Sequence, residues 1–269
     1  MTEWLAACRA AADDVRAVLA ELPGRTEREP VVGAGLGGDD TTAIDAAAER
    51  VVVERLAQTG AAYTLVSEEL GEQRVGDGGG GGGTWVVVDP IDGSLNAKRG
   101  IQHFCLSIAV ADGPTMGDVH FGYVADFGSG EEWTAVRGGG ARLNGEPLPP
   151  ELPKEEIEIL AFEATLTSSI AERAAAMVGI AYRLRVMGSL ALALCQLAAG
   201  RLDGVCSLKA ARAVDIAAAQ LLVRERGLAI DLFEAPPFDS APLDLAARSR
   251  VVAAGTPASC RKLANALST

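Results

Sequence analysis

Histidine is nearly missing from this chain: among 269 residues only His103 and His120 carry an imidazole. That scarcity argues against a histidine-rich metal centre and against a histidine-based catalytic triad. The five cysteines form no CxxC pair and show no ligand spacing, and their number is odd. They read as free, mostly buried thiols of a reducing cytoplasm. Long apolar runs are absent too. The richest stretch, LALALCQLAAG, falls short of the roughly 18 residues of a membrane span. The N-terminus, MTEWLAACRAA, has an acid at position 3 and no basic region, so no signal peptide is expected. Positive charge is in deficit, with 24 Lys and Arg against 36 Asp and Glu and a net charge of −12. Such a surface disfavours nucleic acid and anionic membranes. It leaves room for an anionic substrate, because bound metals reverse the local field. Phosphate-loop signatures are lacking as well. VVGAGLGG has neither GxGxxG spacing nor a Lys-Ser/Thr ending. Its glycines mark a mobile loop, and the segment from Gly33 to Asp40 is expected to close over a site. No internal repeat is visible.

What is present is a 49% apolar composition, enough for one domain with two lobes or for two small domains. Trp4, Leu5, Cys8, Ala11, Ala12, Val15, Val18 and Leu19 share one helical stripe that Pro23 and Gly24 end. An alanine-rich helix follows GGDDTTAID and stops near Gly60, with Asp45 in its first turn and Glu49 one turn on. YTLVS is a short strand ending in Glu68 and Glu69. The glycine-rich run from Gly76 to Thr84 reads as an exposed hairpin connection without function. From Phe104 onward CLSIAVA, GDVHFGYVAD and EEWTAVRGGG predict an antiparallel meander. The lobe boundary falls near Pro147 to Lys154, separating 1–148 from 149–269. Beyond it, strands (IEILAFEA, IAYRLRVM, DGVCSL, RSRVVAAG) alternate with helices. That rhythm predicts a mostly parallel or mixed sheet covered by helices, an α+β or α/β arrangement with a site between the lobes.

The stretch VVVDPIDGSLN, Val86 to Asn96, concentrates the chemistry. Three β-branched residues predict a buried strand. Asp89 and Asp92 follow it at once, where two carboxylates repel each other and lose hydration unless something compensates. A hard divalent cation does so. Ser94 opens a possible helix whose free N–H groups suit a phosphate. A plain strand end with an Asx turn and an N-cap is the simpler reading of the same residues.

The acidic candidates are Asp45, Glu68, Asp89, Asp92 and Asp215. Asp215 begins an apolar helix, where an acid is also an ordinary cap. As a set, most of these acids sit where a strand ends or a helix begins. Five carboxylates suit two or three Mg²⁺ ions, which take oxygen ligands and keep waters. Such a centre fits hydrolysis of a phosphate monoester, with a carboxylate such as Glu68 accepting the water's proton directly or through Ser94. The DxDxT/V pattern expected of a phosphoaspartate enzyme is absent.

These motifs resemble the inositol monophosphatase and fructose-1,6-bisphosphatase superfamily of metal-dependent, lithium-sensitive sugar phosphatases. DPIDGS matches its DP-[IL]-D-G-[ST] signature. SEE at Ser67 to Glu69 resembles its GEE element, DTTAID a segment ending in a carboxylate, GSLALALCQLAAGRLDG its GSAAL…AxGRxDG segment, and AVDIAAA its WDxAAG. The likeness runs from about residue 5 to 265. It implies a layered αβαβα sandwich, and a first metal site at Glu68, Asp89 and the Ile91 carbonyl. A second would use Asp89, Asp92 and Asp215, and a weaker third Glu68 with water. Gly93 and Ser94 amides would grip phosphate and Asp92 would also face the substrate. Glu68, Ser94 and Asp45 would be catalytic, Ser94 Oγ orienting the attacking water where threonine is more usual.

Departures bear on the substrate. Animal inositol monophosphatases carry a Glu seven residues before the last metal Asp, and here that place is Leu208; their Trp before that Asp is Val214. Both changes resemble the archaeal-type branch that accepts inositol-1-phosphate and fructose-1,6-bisphosphate. A second phosphate would want Arg183, Arg185, Lys209 or Arg212, which otherwise read as surface charge. The resemblance also implies a homodimer, and the cysteine usage a cytoplasmic location. Nucleotide-type phosphatases acting on 3′-phosphoadenosine phosphate or NADP fit less well because the chain is short. A non-catalytic member would be expected to have lost some of the acidic set.

Overall fold

Helix α1 (Thr2–Glu21) buries the anticipated stripe, with Cys8, Ala11, Ala12, Val15 and Val18 turned inward. The computed structural model describes residues 2–36, 40–76, 83–149, 154–163, 166–234 and 237–268. After α1 come a single helical turn, α2 (Arg25–Arg28), and a two-stranded antiparallel hairpin, β1 (Val31–Ala34) with β2 (Asp40–Thr42). The glycine-rich segment is thus partly strand, which corrects the expectation of a simple loop. Its four β1 residues are all exposed, so no apolar alternation marked them in the sequence. Residues 37–39, on which the expected closing motion falls, lie outside the described residues. Most of the six-glycine run does too.

Helix α3 (Ala43–Ala57) lies beside α1, and together they cover one face of an eight-stranded sheet. Its strands are β3 (Tyr63–Ser67), β4 (Gly71–Val75), β5 (Thr84–Asp92), β6 (Cys105–Ala111), β7 (Val119–Asp126), β8 (Glu132–Val136), β9 (Gly140–Leu143) and β10 (Glu146–Pro147). Their spatial order is β10-β9-β8-β7-β6-β5-β3-β4, the expected meander extended by β5, β3 and β4. Only β3 and β5 run parallel, with Ser67 opposite Val88; the other pairs are antiparallel. The polar edge strand β4 carried no strand pattern, which is why the sequence reading passed over it. Helix α4 (Ser94–Arg99) follows β5 directly.

The second sheet holds β11 (Ile157–Glu163), β12 (Ala181–Arg185), β13 (Gly204–Ser207), β14 (Ala229–Leu232) and β15 (Val251–Ala254), in the order β12-β11-β13-β15-β14. It is mixed, as anticipated: β12, β11 and β13 are parallel, and β15 runs against both β13 and β14. β14 was not foreseen. Helices α6 (Leu190–Ala198) and α7 (Ala213–Glu225) fill the space between the two sheets. Period-two burial follows: Ala161, Val205, Val251 and Ala253 face these helices, while Leu160, Phe162, Cys206 and Val252 face the outer helix α8 (Pro257–Ser268). Helix α5 (Thr167–Ala174) buries no residue. The layers therefore read helix, sheet, helix, sheet, helix. The middle helices come from the second half of the chain yet share a core with Val66, Val87 and Val124 of the first sheet. Among the described residues no helix is long and apolar enough to cross a membrane. All five cysteines are free and buried.

Candidate active site

Two neighbouring parallel strands release their chains at the same edge of a sheet. β3 and β5 do so here, which sets Glu68 beside Asp89. The turn carrying Glu68 is fixed from behind by Glu49 of α3. That carboxylate accepts the Ser67 hydroxyl and the amides of Glu69 (3.2 Å) and Leu70 (3.1 Å). Glu49 was seen in the sequence only as a neighbour of Asp45; nothing local signalled its grip on a turn 20 residues away.

Between Asp89 and Asp92 the β5–β6 register shifts, a bulge that turns both carboxylates out of the ladder. Asp89 is 1% exposed and one of its oxygens accepts the Ile91 amide at 3.0 Å. Gly93 then adopts φ 92°, a left-handed conformation. A Cβ there would also stand 3.1 Å from the carbonyls of Gly188 and His103, so glycine is needed twice over. Ser94 follows as the first residue of α4, its hydroxyl donating to the Ile91 carbonyl at 2.9 Å.

Asp92 is held across the interlayer boundary. Its Oδ2 accepts the Ser189 hydroxyl at 2.6 Å and the Ala191 amide at 2.7 Å, both at the start of α6. The loop before α6 is itself anchored. Glu163, at the end of β11, accepts the Gly188 amide at 2.8 Å, and Asn96 Nδ2 donates to the Met187 carbonyl at 2.7 Å. Glu163 is a buried residue of the site that sequence reasoning missed; only its place at the end of a strand hinted at it.

Asp215 stands three residues into α7. It accepts the amide of Arg212 at 2.7 Å, so the cap expected of an acid at that position is present. Asp45 does the same for α3, accepting the Thr42 amide at 3.2 Å and the Thr42 hydroxyl. Lys98 of α4 approaches Asp45 to 3.6 Å, while Asp45 Oδ1 is buried with no hydrogen-bond partner.

Glu68, Asp89 and Asp92 each feel their burial and the charge of neighbouring acids. Burial, then Glu68, Asp92 and Asp215, drive the Asp89 carboxyl well above its ordinary range, with Arg212 opposing. Burial lifts Glu68 to about 7 against the pull of Arg212, and lifts Asp92 to about 7 against its Ser189 hydrogen bond. Glu163 also rises to about 7 through burial. Arg212 loses by burial but gains more from Asp215, Glu68 and Asp89, so its charge is held firmly. Its Nη2 lies 2.6 Å from Glu68 Oε1 and 3.1 Å from Asp215 Oδ1.

A cavity of about 220 Å³ opens beside this cluster, with Asp92, Gly93, Ser94, Glu163, Lys209, Arg212 and Asp215 in its wall. Of the four basic candidates, Lys209 and Arg212 reach it. Arg183 and Arg185 do not line it: both sit on the edge strand β12, Arg183 pairing with Glu158 at 2.8 Å and Arg185 donating to the Leu184 carbonyl. For those two the surface-charge reading describes what is seen. Among the described residues no three acidic, histidine or cysteine side chains already form a metal cage. The acids converge, but Arg212 engages two of them and Asp92 is turned toward α6. The donor set still suits a hard cation: carboxylates raised by burial and then by one another's charge, and an unpartnered Asp45 oxygen.

Known proteins bear on this arrangement. Residues 2–268 match the inositol monophosphatase family. The fructose-1,6-bisphosphatase/inositol-1-monophosphatase of Methanothermobacter thermautotrophicus is 31% identical over 259 residues, covering 94% of this chain and 92% of that protein. The Nus factor SuhB of Pasteurella multocida is 33% identical over 202 residues, 70% of each. A crystal structure described as an inositol monophosphatase-fructose 1,6 bisphosphatase superposes with a TM-score of 0.83 over 98% of this chain and 99% of that one. At 24% identity, that last likeness speaks for the fold.

Proposed function

Because this chain belongs to the inositol monophosphatase family, we propose that it hydrolyses inositol-1-phosphate or a related sugar phosphate with water activated beside Mg²⁺. The enzyme is a phosphoric monoester hydrolase. One observation supports the metal reading above the others. Glu68, Asp89 and Asp92 at the edge of the first sheet are each pushed up by burial and then by neighbouring acids, Asp215 of helix α7 among them. Without cations such a cluster is a standing penalty.

Glu68, Asp89, Asp92, Asp215 and the Ile91 carbonyl would hold two or three ions. The cation supplies neutralisation of the phosphoryl oxygens and makes the attacking water more acidic. The chain's own groups do the rest. The amides of Gly93 and Ser94 would take the phosphate, at the left-handed turn that leads into α4. Ser94 Oγ, now donating to the Ile91 carbonyl, would orient the water, and a Glu68 oxygen would accept its proton. Asp45 offers a further buried oxygen with a free acceptor site. Fructose-1,6-bisphosphate is the second substrate to consider, since Lys209 and Arg212 place positive charge in the cavity wall. The nucleotide-type and non-catalytic alternatives have no comparable observation in their favour.

The test is phosphate release from inositol-1-phosphate, fructose-1,6-bisphosphate, histidinol phosphate, NADP and 3′-phosphoadenosine phosphate, with Mg²⁺ and with EDTA. Release should need Mg²⁺, favour the first two esters, and vanish in Asp89→Asn. Metal-independent release, or an active Asp89→Asn enzyme, contradicts the assignment.

The free, buried thiols suit the cytoplasm. A homodimer is consistent with the exposed Val178, Tyr182 and Val186 at and beside the edge strand β12. The net charge of −12 disfavours a nucleic-acid partner, whatever role the Nus factor relatives have.

A further inference from the structure

Both oxygens of Asp215 are engaged by a single residue. The Arg212 amide donates to Oδ2 at 2.7 Å, and its Nη2 lies 3.1 Å from Oδ1. The same Nη2 is 2.6 Å from Glu68 Oε1, and the Arg212 side chain is only 8% exposed. We propose that Arg212 is a built-in competitor of the divalent cation, a guanidinium that neutralises Glu68 and Asp215 and must be displaced into the adjoining cavity for a metal to reach them. This rests on the metal-dependent reading above.

Charge, geometry and space agree. A guanidinium bonded to a carboxylate removes most of the attraction that the oxygen would offer a cation. Among the described residues no three acids form a cage, and Arg212 stands between two that would be needed. The displaced side chain has somewhere to go, because Arg212 already forms part of the wall of the cavity that also meets Ser94 and Lys209. The backbone need not move: Arg212 caps α7 through its amide, and that hydrogen bond is independent of where the guanidinium points. A bridge that was merely structural would instead have to stay in place when metal binds, and would help to hold Glu68 and Asp215 for it.

The two roles give opposite signs for one measurement. The full-length chain, stripped with EDTA, is titrated calorimetrically with MnCl₂, and Mg²⁺ is used to compete. If Arg212 competes, Arg212→Ala binds Mn²⁺ more tightly. The gain should be on the order of tenfold, the factor by which a competent form present in one molecule in ten weakens apparent affinity. Its melting temperature in EDTA should fall while the upward shift caused by Mn²⁺ grows. Arg212→Lys, which keeps the charge but loses the fork of donors, should fall between the two. Equal or weaker Mn²⁺ binding by folded Arg212→Ala overturns the proposal; if that variant does not fold, Arg212→Lys decides by the same rule. A wild-type protein that binds no Mn²⁺ removes the metal-dependent reading itself, and the competitor role with it.

Discussion

Asp92 accepts a hydroxyl and an amide, yet burial still lifts its carboxyl to about 7. Glu68 reaches about 7 as well, although an arginine is bonded to it. Hydrogen bonds and one guanidinium therefore do not offset the loss of water around these acids. The sign of the consequence follows. A carboxyl whose folded pKa exceeds its unfolded one favours the fold while protonated, and that contribution is lost as pH rises through the folded value. In EDTA the melting temperature should accordingly drop between about pH 5 and pH 8. Adding Mg²⁺ at the upper end should recover it, because the ionised oxygens then have a cation. A melting temperature in EDTA that rises or stays flat over that interval would show that the acids are not mutually strained.

At the scale of elements, α7 matters most, because it carries Asp215 and packs against both sheets. It approaches β7 closely at one point. A Cβ on Gly122 would lie 2.5 Å from the Ala218 carbonyl oxygen, in a place where neither backbone can give way. Gly122→Ala should therefore push α7 outward and cost ~1–3 kcal/mol in denaturant unfolding, the usual range for overpacking. Phosphate release should fall more than the loss of folded protein explains, since Asp215 moves with the helix. A variant with wild-type stability and activity would mean that the contact is looser than the backbone geometry indicates. The loop before α6 works similarly, since Glu163 and Asn96 pin it and it in turn pins Asp92.

For the molecule as a whole, the five layers leave two strand edges in the second sheet, β12 and β14. Exposed edges invite pairing. On and next to β12, Tyr182 is 78% and Val178 84% exposed, apolar surface that a second copy would cover. With the homodimer proposed above seated on this edge, Tyr182→Glu should lower the sedimentation coefficient to that of a monomer at micromolar concentration. An unchanged sedimentation coefficient would place the contact elsewhere or leave the protein monomeric.

The DPIDGS stretch, the strand before Glu68 and the acid opening α7 were legible in the sequence, because each is a local pattern: a β-branched run, a turn residue, a cap. So was the alternation of strands and helices that led to a layered architecture. Less could be read where pattern is weak. β1, β4 and β14 are short or polar, and carry little apolar alternation. Which acids meet was never a local property. Glu68 reaches Asp89 because β3 and β5 are parallel neighbours, and Asp215 reaches both because α7 lies between two sheets. Nearness to Asp215 in the chain already leaned toward Lys209 and Arg212, but packing alone put those two in the cavity wall and Arg183 and Arg185 on an edge strand. Only packing brought Glu49 and Glu163 to the backbone of turns far away in sequence. Side-chain types and local conformation follow from short-range sterics and hydrogen bonds, whereas the company a buried charge keeps depends on contacts that burial of the whole core creates.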